Sequence, residues 1–124
     1  MKIFQNVSLK NFTTLRVGGL ADFFVKITNR DELQKSLDFA REQNLPIFIL
    51  GGGSNLLFSD NGFRGLVIKN EIQGIQFEKN IVKVGSGVLL SNLITESAKK
   101  NLTGLENLAG IPGTVGGAVI GNAN

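Results

Sequence analysis

At 124 residues the chain has the size of one domain, enough to bury roughly two-thirds of the surface that its unfolded form exposes. Apolar residues make up 42% and charged residues 19%, a globular balance, and a net charge of +3 with no basic run interleaved with aromatics gives nucleic-acid binding no support. Cysteine is absent, which excludes a disulfide framework and any thiolate site, and histidine is absent too, so the commonest general base and metal ligand are missing and the chemistry points away from a hydrolase or a metalloenzyme.

Residues 1–10 hold no apolar stretch of signal-peptide length, and no run approaches the roughly 18 residues of a membrane-spanning helix; the chain reads as cytoplasmic, without a membrane partner. Residues 1–12 alternate loosely and predict an extended lead-in. After Thr13-Thr-Leu-Arg-Val-Gly-Gly19, Ala21, Phe23, Val25 and Ile27 alternate with Asp22, Phe24 and Lys26, the period of a strand, with Phe24 implying that its second face is partly covered. Asn29 followed by Glu32 predicts a reciprocally capped helix start. Leu33, Leu37 and Ala40 lay an apolar stripe along that helix with Phe39 beside it, and Asn44 and Pro46 end it.

Pro46 opens a short apolar strand, Ile47-Phe-Ile-Leu50, which runs straight into Gly51, Gly52, Gly53, Ser54 and Asn55. Strand, helix and strand predict a βαβ unit with parallel strands and a right-handed crossover, which sets the glycines at the carboxyl end of a strand, where open α/β folds place their ligands. Residues without Cβ let a ligand approach the backbone closely, and successive amides in such a turn form a concave anion site. The reading is a phosphate or pyrophosphate cradle with donors from Ser54 and Asn55 at its rim, worked by backbone dipoles without lysine. A lone triple glycine fits a tight surface turn equally well.

Asp60-Asn-Gly62 reads as a turn and Leu66, Val67 and Ile68 as a third strand. A boundary is expected near residue 70, dividing a first lobe at 1–70 from a second at 71–124. Ile75, Phe77, Ile81, Val82 and Val84 predict a hairpin around Lys79-Asn80. Gly85-Ser-Gly87 leads into a helix with Leu90, Leu93, Ile94 and Ala98 at helical spacing, closed by Lys99-Lys100-Asn101. A second glycine-rich stretch, Gly110-Ile-Pro-Gly-Thr-Val-Gly-Gly-Ala118, supplies further bare amides, and two such stretches among 16 glycines suggest a ligand with an extended phosphate moiety. Thr114 onward reads as a loop and the first turns of a helix that stops without a cap, which suggests a truncated chain. Glu106, within Gly104-Leu-Glu-Asn107, reads as a cap for a neighbouring amide in preference to an acid or base.

Taken together, Thr13-Thr-Leu-Arg-Val-Gly-Gly19, Leu50-Gly-Gly-Gly-Ser-Asn-Leu-Leu57, Gly104-Leu-Glu-Asn107 and Gly110-Ile-Pro-Gly-Thr-Val-Gly-Gly117 closely resemble the UDP-N-acetylenolpyruvoylglucosamine reductase family, in order and spacing, over essentially the whole chain. The resemblance implies an α+β fold: a two-lobed FAD-binding domain of the vanillyl-alcohol-oxidase type, its second lobe incomplete here and the family's substrate-binding domain absent. It implies that the loop from Gly51 through Gly52, Gly53 and Ser54 to Asn55 wraps the FAD pyrophosphate, and that Pro112, Gly113, Thr114, Gly116 and Gly117 lie against the same cofactor, with the dipole of the helix after Gly113 adding to the hold. Arg16 matches the family's early motif, where lining the cofactor or substrate side and a plain surface ion pair both fit. The implied reaction uses NADPH and FAD to reduce the enolpyruvyl ether of a UDP-sugar, giving the muramate precursor of peptidoglycan. The family's proton donor and its enolate-stabilising Arg and Glu fall later than residue 124, so this chain alone is expected to be inactive; the alternative is a stand-alone flavin- or nucleotide-binding module. Where the family commonly continues Asn-Ala-Gly, this chain has Asn122-Ala-Asn124. Some relatives of that fold attach FAD through His, Cys or Tyr; none of the three occurs here, so the flavin is expected to be non-covalent.

Overall fold

The computed structural model describes residues 1–13, 16, 18–51 and 61–121. Strands β1 (Ile3–Ser8), β2 (Leu20–Ile27), β3 (Ile47–Leu50) and β4 (Phe63–Asn70) form one sheet in the order β1-β2-β4-β3, and β5 (Ile75–Glu78) and β6 (Ile81–Val84) form a two-stranded antiparallel sheet. The helices are α1 (Arg30–Glu42), α2 (Leu90–Lys99) and α3 (Val115–Ile120), with single 3-10 turns at Leu9–Phe12 and Glu106–Leu108.

The lead-in expected over 1–12 joins the sheet: β1 pairs antiparallel with β2, Ile3 opposite Val25 and Ser8 opposite Leu20. The strands flanking α1 are parallel, as predicted, but they are not neighbours. β4 lies between them, parallel to both, with Leu66 opposite Phe23 on one side and Ile47 on the other. Burial on both sides explains why β4 reads as an unbroken apolar run.

Two cores cover the sheet. Val25, Ile27, Leu66 and Ile68 face α1 and pack with Ala40, and Leu33, Leu37 and Phe39 join them, as the helical stripe predicts. On the other face Phe24, Leu50 and Val67 pack with Leu9 and Ala21. Phe24 is only 2% exposed, so the second face is fully covered at that point, with Phe12 stacked on it at 4.6 Å. Ala21 belongs with Phe24 and not with Phe23 because the register shifts between Ala21 and Phe23; an irregularity of this kind moves side chains to the other face, which strict alternation does not foresee.

Capping sets the limits of α1. The Asn29 side chain accepts from the Glu32 amide at 2.8 Å, while Glu32 reaches back one residue further than the reciprocal cap predicts, to the Thr28 amide at 2.8 Å and the Thr28 hydroxyl at 2.7 Å. The helix closes with Asn44 at φ 54, the Asn44 amide donating to the Arg41 carbonyl and the Leu45 amide to the Ala40 carbonyl; this is the Schellman pattern. α2 ends the same way, with Asn101 at φ 57 and Leu102 donating to Ser97. Its buried stripe is Leu90, Leu93 and Ser97, and Ala98, expected in the core, is exposed. The hairpin forms as predicted, Glu78 opposite Ile81, with Lys79 at φ 56 in its turn.

Candidate functional site

The ends of the two sheets and the second glycine stretch converge on one cleft of about 790 Å³. Ile49 and Gly51 at the end of β3, Asn70 at the end of β4, Val84 and Ser86 after the hairpin, and Thr114, Val115, Gly116, Gly117, Val119 and Ile120 line it. The carboxyl ends of parallel strands thus form one wall, the position that α/β folds reserve for ligands.

Backbone pairing closes the far wall. Leu89 bridges Thr114, the Leu90 amide donates to the Gly113 carbonyl at 3.0 Å, the Val115 amide to Val88 at 2.8 Å and the Gly116 amide to Ser86 at 2.9 Å. Gly113 sits at φ 110, a conformation open to glycine at little cost. Close approach fixes other positions: a Cβ on Gly116 would lie 3.0 Å from the Ser86 carbonyl oxygen, and one on Gly51 2.8 Å from Thr114 Oγ1. Gly51 and Thr114 therefore bring the first and second glycine stretches into contact, as the sequence predicts for a shared ligand.

The second stretch differs from its expected role in one respect. The amides from Val115 to Ala118 are not bare: besides those of Val115 and Gly116, the Gly117 amide donates to Thr114 Oγ1 at 3.2 Å and the Ala118 amide to the Thr114 carbonyl at 3.0 Å. The six residues of α3 are capped from within by Thr114. Gly116 and Gly117 let the wall approach closely, and their own amides are taken up within it.

Of the other predicted residues, Gly52, Gly53, Ser54 and Asn55 lie outside the described residues, as do Thr14, Leu15 and Val17 of the early motif, Asp60 of the predicted turn, and Asn122 to Asn124. Arg16 is described and exposed, with φ 54 and its amide donating to Thr13 at 3.1 Å; it is not among the residues lining the cleft, and neither are Pro112 and Gly113. Glu106 Oε2 accepts from the Gly104 amide at 2.8 Å, so it caps an amide as predicted. Hydrogen bonds from its own amide and from Gly104 hold its carboxyl below the ordinary value.

Sequence reading missed Asn70 and Ser86. The Asn70 side-chain amide donates to Ser86 Oγ at 2.7 Å and its carbonyl oxygen accepts from the Ile72 amide at 3.1 Å, tying the two sheets together at the cleft floor. The signal lay in Gly85-Ser-Gly87, a third stretch of scarce side chains that had the look of a mere lead-in. Lys69 was missed too. Its ammonium donates to the Gly51 carbonyl, so a lysine does stand beside the first glycine stretch, against the expectation of backbone dipoles alone.

The cleft is mostly apolar, with Asn70, Ser86 and Thr114 as its polar groups. The volume falls in the range of about 300–1,000 Å³ typical of ligand pockets, and a mostly apolar wall with a few converging polar groups is their usual lining. Fold and site define a nucleotide-cofactor-binding α+β unit. A family model described as "FAD binding domain" matches residues 21–124, and the chain belongs to that family. Among similar proteins, the UDP-N-acetylenolpyruvoylglucosamine reductase of Clostridium novyi (strain NT) is 44% identical over 98% of this chain and 40% of its own, and that of Chlamydia muridarum (strain MoPn / Nigg) is 46% identical over 96% and 40%. The crystal structure of UDP-N-acetylenolpyruvylglucosamine reductase from Thermus caldophilus matches with a TM-score of 0.77 at 39% identity, covering 96% of this chain and 41% of that one. The chain spans about two-fifths of the length of these relatives.

Proposed function

We propose that this chain is the FAD-binding portion of an NADPH-dependent reductase acting on the enolpyruvyl ether of a UDP-sugar, in the cytoplasm, within peptidoglycan precursor synthesis. The observation that carries the reading is the contact of Gly51 with Thr114 across one cleft, which joins both glycine stretches of the resembling motifs at a single ligand site. Likeness to reductases along nearly all of this chain supports the reaction class. In this reading residues 1–70 are the first lobe of a vanillyl-alcohol-oxidase-type FAD domain and 71–124 the start of the second. In the same reading the family's substrate-binding domain and its catalytic proton donor fall outside residues 1–124.

Non-covalent FAD would be held by Gly51 to Asn55 at its phosphates, and by Thr114, Gly116 and Gly117 as a close wall, with Pro112 and Gly113 shaping the turn and Arg16 on the cofactor or substrate side. The chemistry FAD supplies when bound is hydride transfer from NADPH to the substrate double bond. The chain's own part is to bind, orient and exclude water. Asn70 and Ser86 fix the floor through their hydrogen bond, while Ile49, Val84, Val119 and Ile120 give an apolar surface on which a ring system can rest.

A titration of the 124-residue chain with FAD, following flavin fluorescence and the thermal midpoint together, tests this. Ligand at 100 times its Kd adds about 2.7 kcal/mol and raises the midpoint of a small domain by many degrees. Saturation of both signals together is the expected outcome; a folded chain in which neither moves would limit the FAD reading to the longer reductase.

A further inference from the structure

Three side chains give the cleft its polar character, and the fold already uses two of them. Thr114 is 5% exposed; its hydroxyl oxygen accepts from the Gly117 amide and lies against Gly51. Asn70 is engaged at both ends of its side-chain amide, the oxygen accepting from the Ile72 amide at 3.1 Å and the nitrogen donating to Ser86 Oγ at 2.7 Å. Ser86 is half-buried, and its hydroxyl proton is the donor left over.

The contact with Ile72 fixes the direction of the contact with Ser86. A backbone N–H can only donate, so the Asn70 oxygen faces Ile72 and the Asn70 nitrogen faces Ser86. The Ser86 oxygen therefore accepts, and its own proton points elsewhere. Among the described residues that proton meets no acceptor. The residue itself is held from the other side: the Gly116 amide donates to the Ser86 carbonyl at 2.9 Å, and a Cβ on Gly116 would meet the Ser86 Cβ at 3.0 Å. Most other side chains of the cleft are apolar, among them Ile49, Val84, Val115 and Val119. A ligand that displaces water from this floor must supply an acceptor to Ser86 or leave the hydroxyl unpaired, which is unfavourable.

We infer that Ser86, oriented by Asn70, presents a hydrogen-bond donor to a ring nitrogen or ring carbonyl of the heteroaromatic group bound in the cleft. The inference deepens the FAD reading and rests on it. A planar ring rests on the apolar side chains while Ser86 reads its edge, which selects a base carrying an acceptor at that point over a hydrocarbon ring of the same size. Ser86 touches the ligand; Asn70 is a positioning residue that acts through it. FAD has two such rings, the flavin and the adenine, and both offer acceptors.

The test compares the unsubstituted chain with Ser86→Ala, Asn70→Asp and the double variant, titrated by calorimetry with FAD, riboflavin and ADP, with urea midpoints as a check on folding. Ser86→Ala keeps the Cβ against which Gly116 packs, so it should leave the urea midpoint nearly unchanged while weakening FAD binding roughly three- to tenfold, the effect of one neutral hydrogen bond. A matching loss for riboflavin alone assigns the acceptor to the flavin, and for ADP alone to the adenine. Asn70→Asp leaves only acceptors at that position, which draw the Ser86 proton away from the cleft. It should therefore weaken FAD binding more in the unsubstituted background than beside Ser86→Ala, whereas its added charge alone would act equally in both. Undiminished FAD binding by Ser86→Ala, the same loss for riboflavin and ADP alike, or an equal effect of Asn70→Asp in both backgrounds overturns the inference and leaves the FAD reading standing. An unsubstituted chain that takes up no FAD overturns both.

Discussion

Gly116 shows how much a single missing methyl group can matter in this cleft. A Cβ there would stand 3.0 Å from both the Cβ and the carbonyl oxygen of Ser86, atoms fixed by the Asn70 and Gly116 hydrogen bonds. Gly116→Ala should therefore cost about 1–3 kcal/mol, read as a lower urea midpoint, and should weaken FAD binding by shifting the cleft floor. Glu32 gives a charge effect of defined sign. Hydrogen bonds from the Thr28 hydroxyl and then the Thr28 amide hold its carboxyl below the ordinary value of 4.5. A carboxylate with a depressed folded value contributes stability that is present above 4.5 and lost as pH falls through the lowered value. Urea midpoints from about pH 6 to about pH 3 should fall more steeply for the unsubstituted chain than for Glu32→Gln.

Helix ends offer the clearest test at the level of elements. Asn44 holds the left-handed conformation that lets Leu45 reach the Ala40 carbonyl. Asn44→Val should destabilise by about 1–2 kcal/mol, since a branched side chain is strained there, whereas Asn44→Gly should hold or slightly raise the urea midpoint. Helices α1 and α2, the hairpin and all the strands after residue 20 were legible in the sequence because each carries its own period or punctuation, as with Asn29 and Pro46 for α1. The insertion of β4 between β2 and β3 was not, because strand order depends on pairing between distant residues such as Ala21 and Phe63, for which local patterns hold no signal. Half of the site was legible for the same reason. Glycine runs announce a backbone left open to a ligand, but nothing in Lys69 or Asn70 alone reveals that the fold delivers them to Gly51 and Ser86.

For the whole molecule, the cleft carries an exposed apolar surface. Val119 is 73% and Ile120 89% exposed on the wall where Thr114 and Gly117 stand, an apolar area open at the cleft. Flavin held there is expected to be bound non-covalently, since the sequence offers no His, Cys or Tyr for attachment. Denaturing the flavin-loaded protein and passing it through a desalting column should leave the protein fraction colourless; yellow retained on the chain would refute non-covalent binding.

The place of β4 also sets a timetable for synthesis. A ribosome that has released β1, β2, α1 and β3 has produced a two-stranded ribbon, a helix with nothing complete to lie on, and a short apolar strand with no partner, because every parallel hydrogen bond in the sheet runs to β4. The nascent chain must wait for Phe63–Asn70 before its middle closes. During that interval Ile47–Leu50 is a free apolar edge of the kind that chaperones bind and that seeds aggregation.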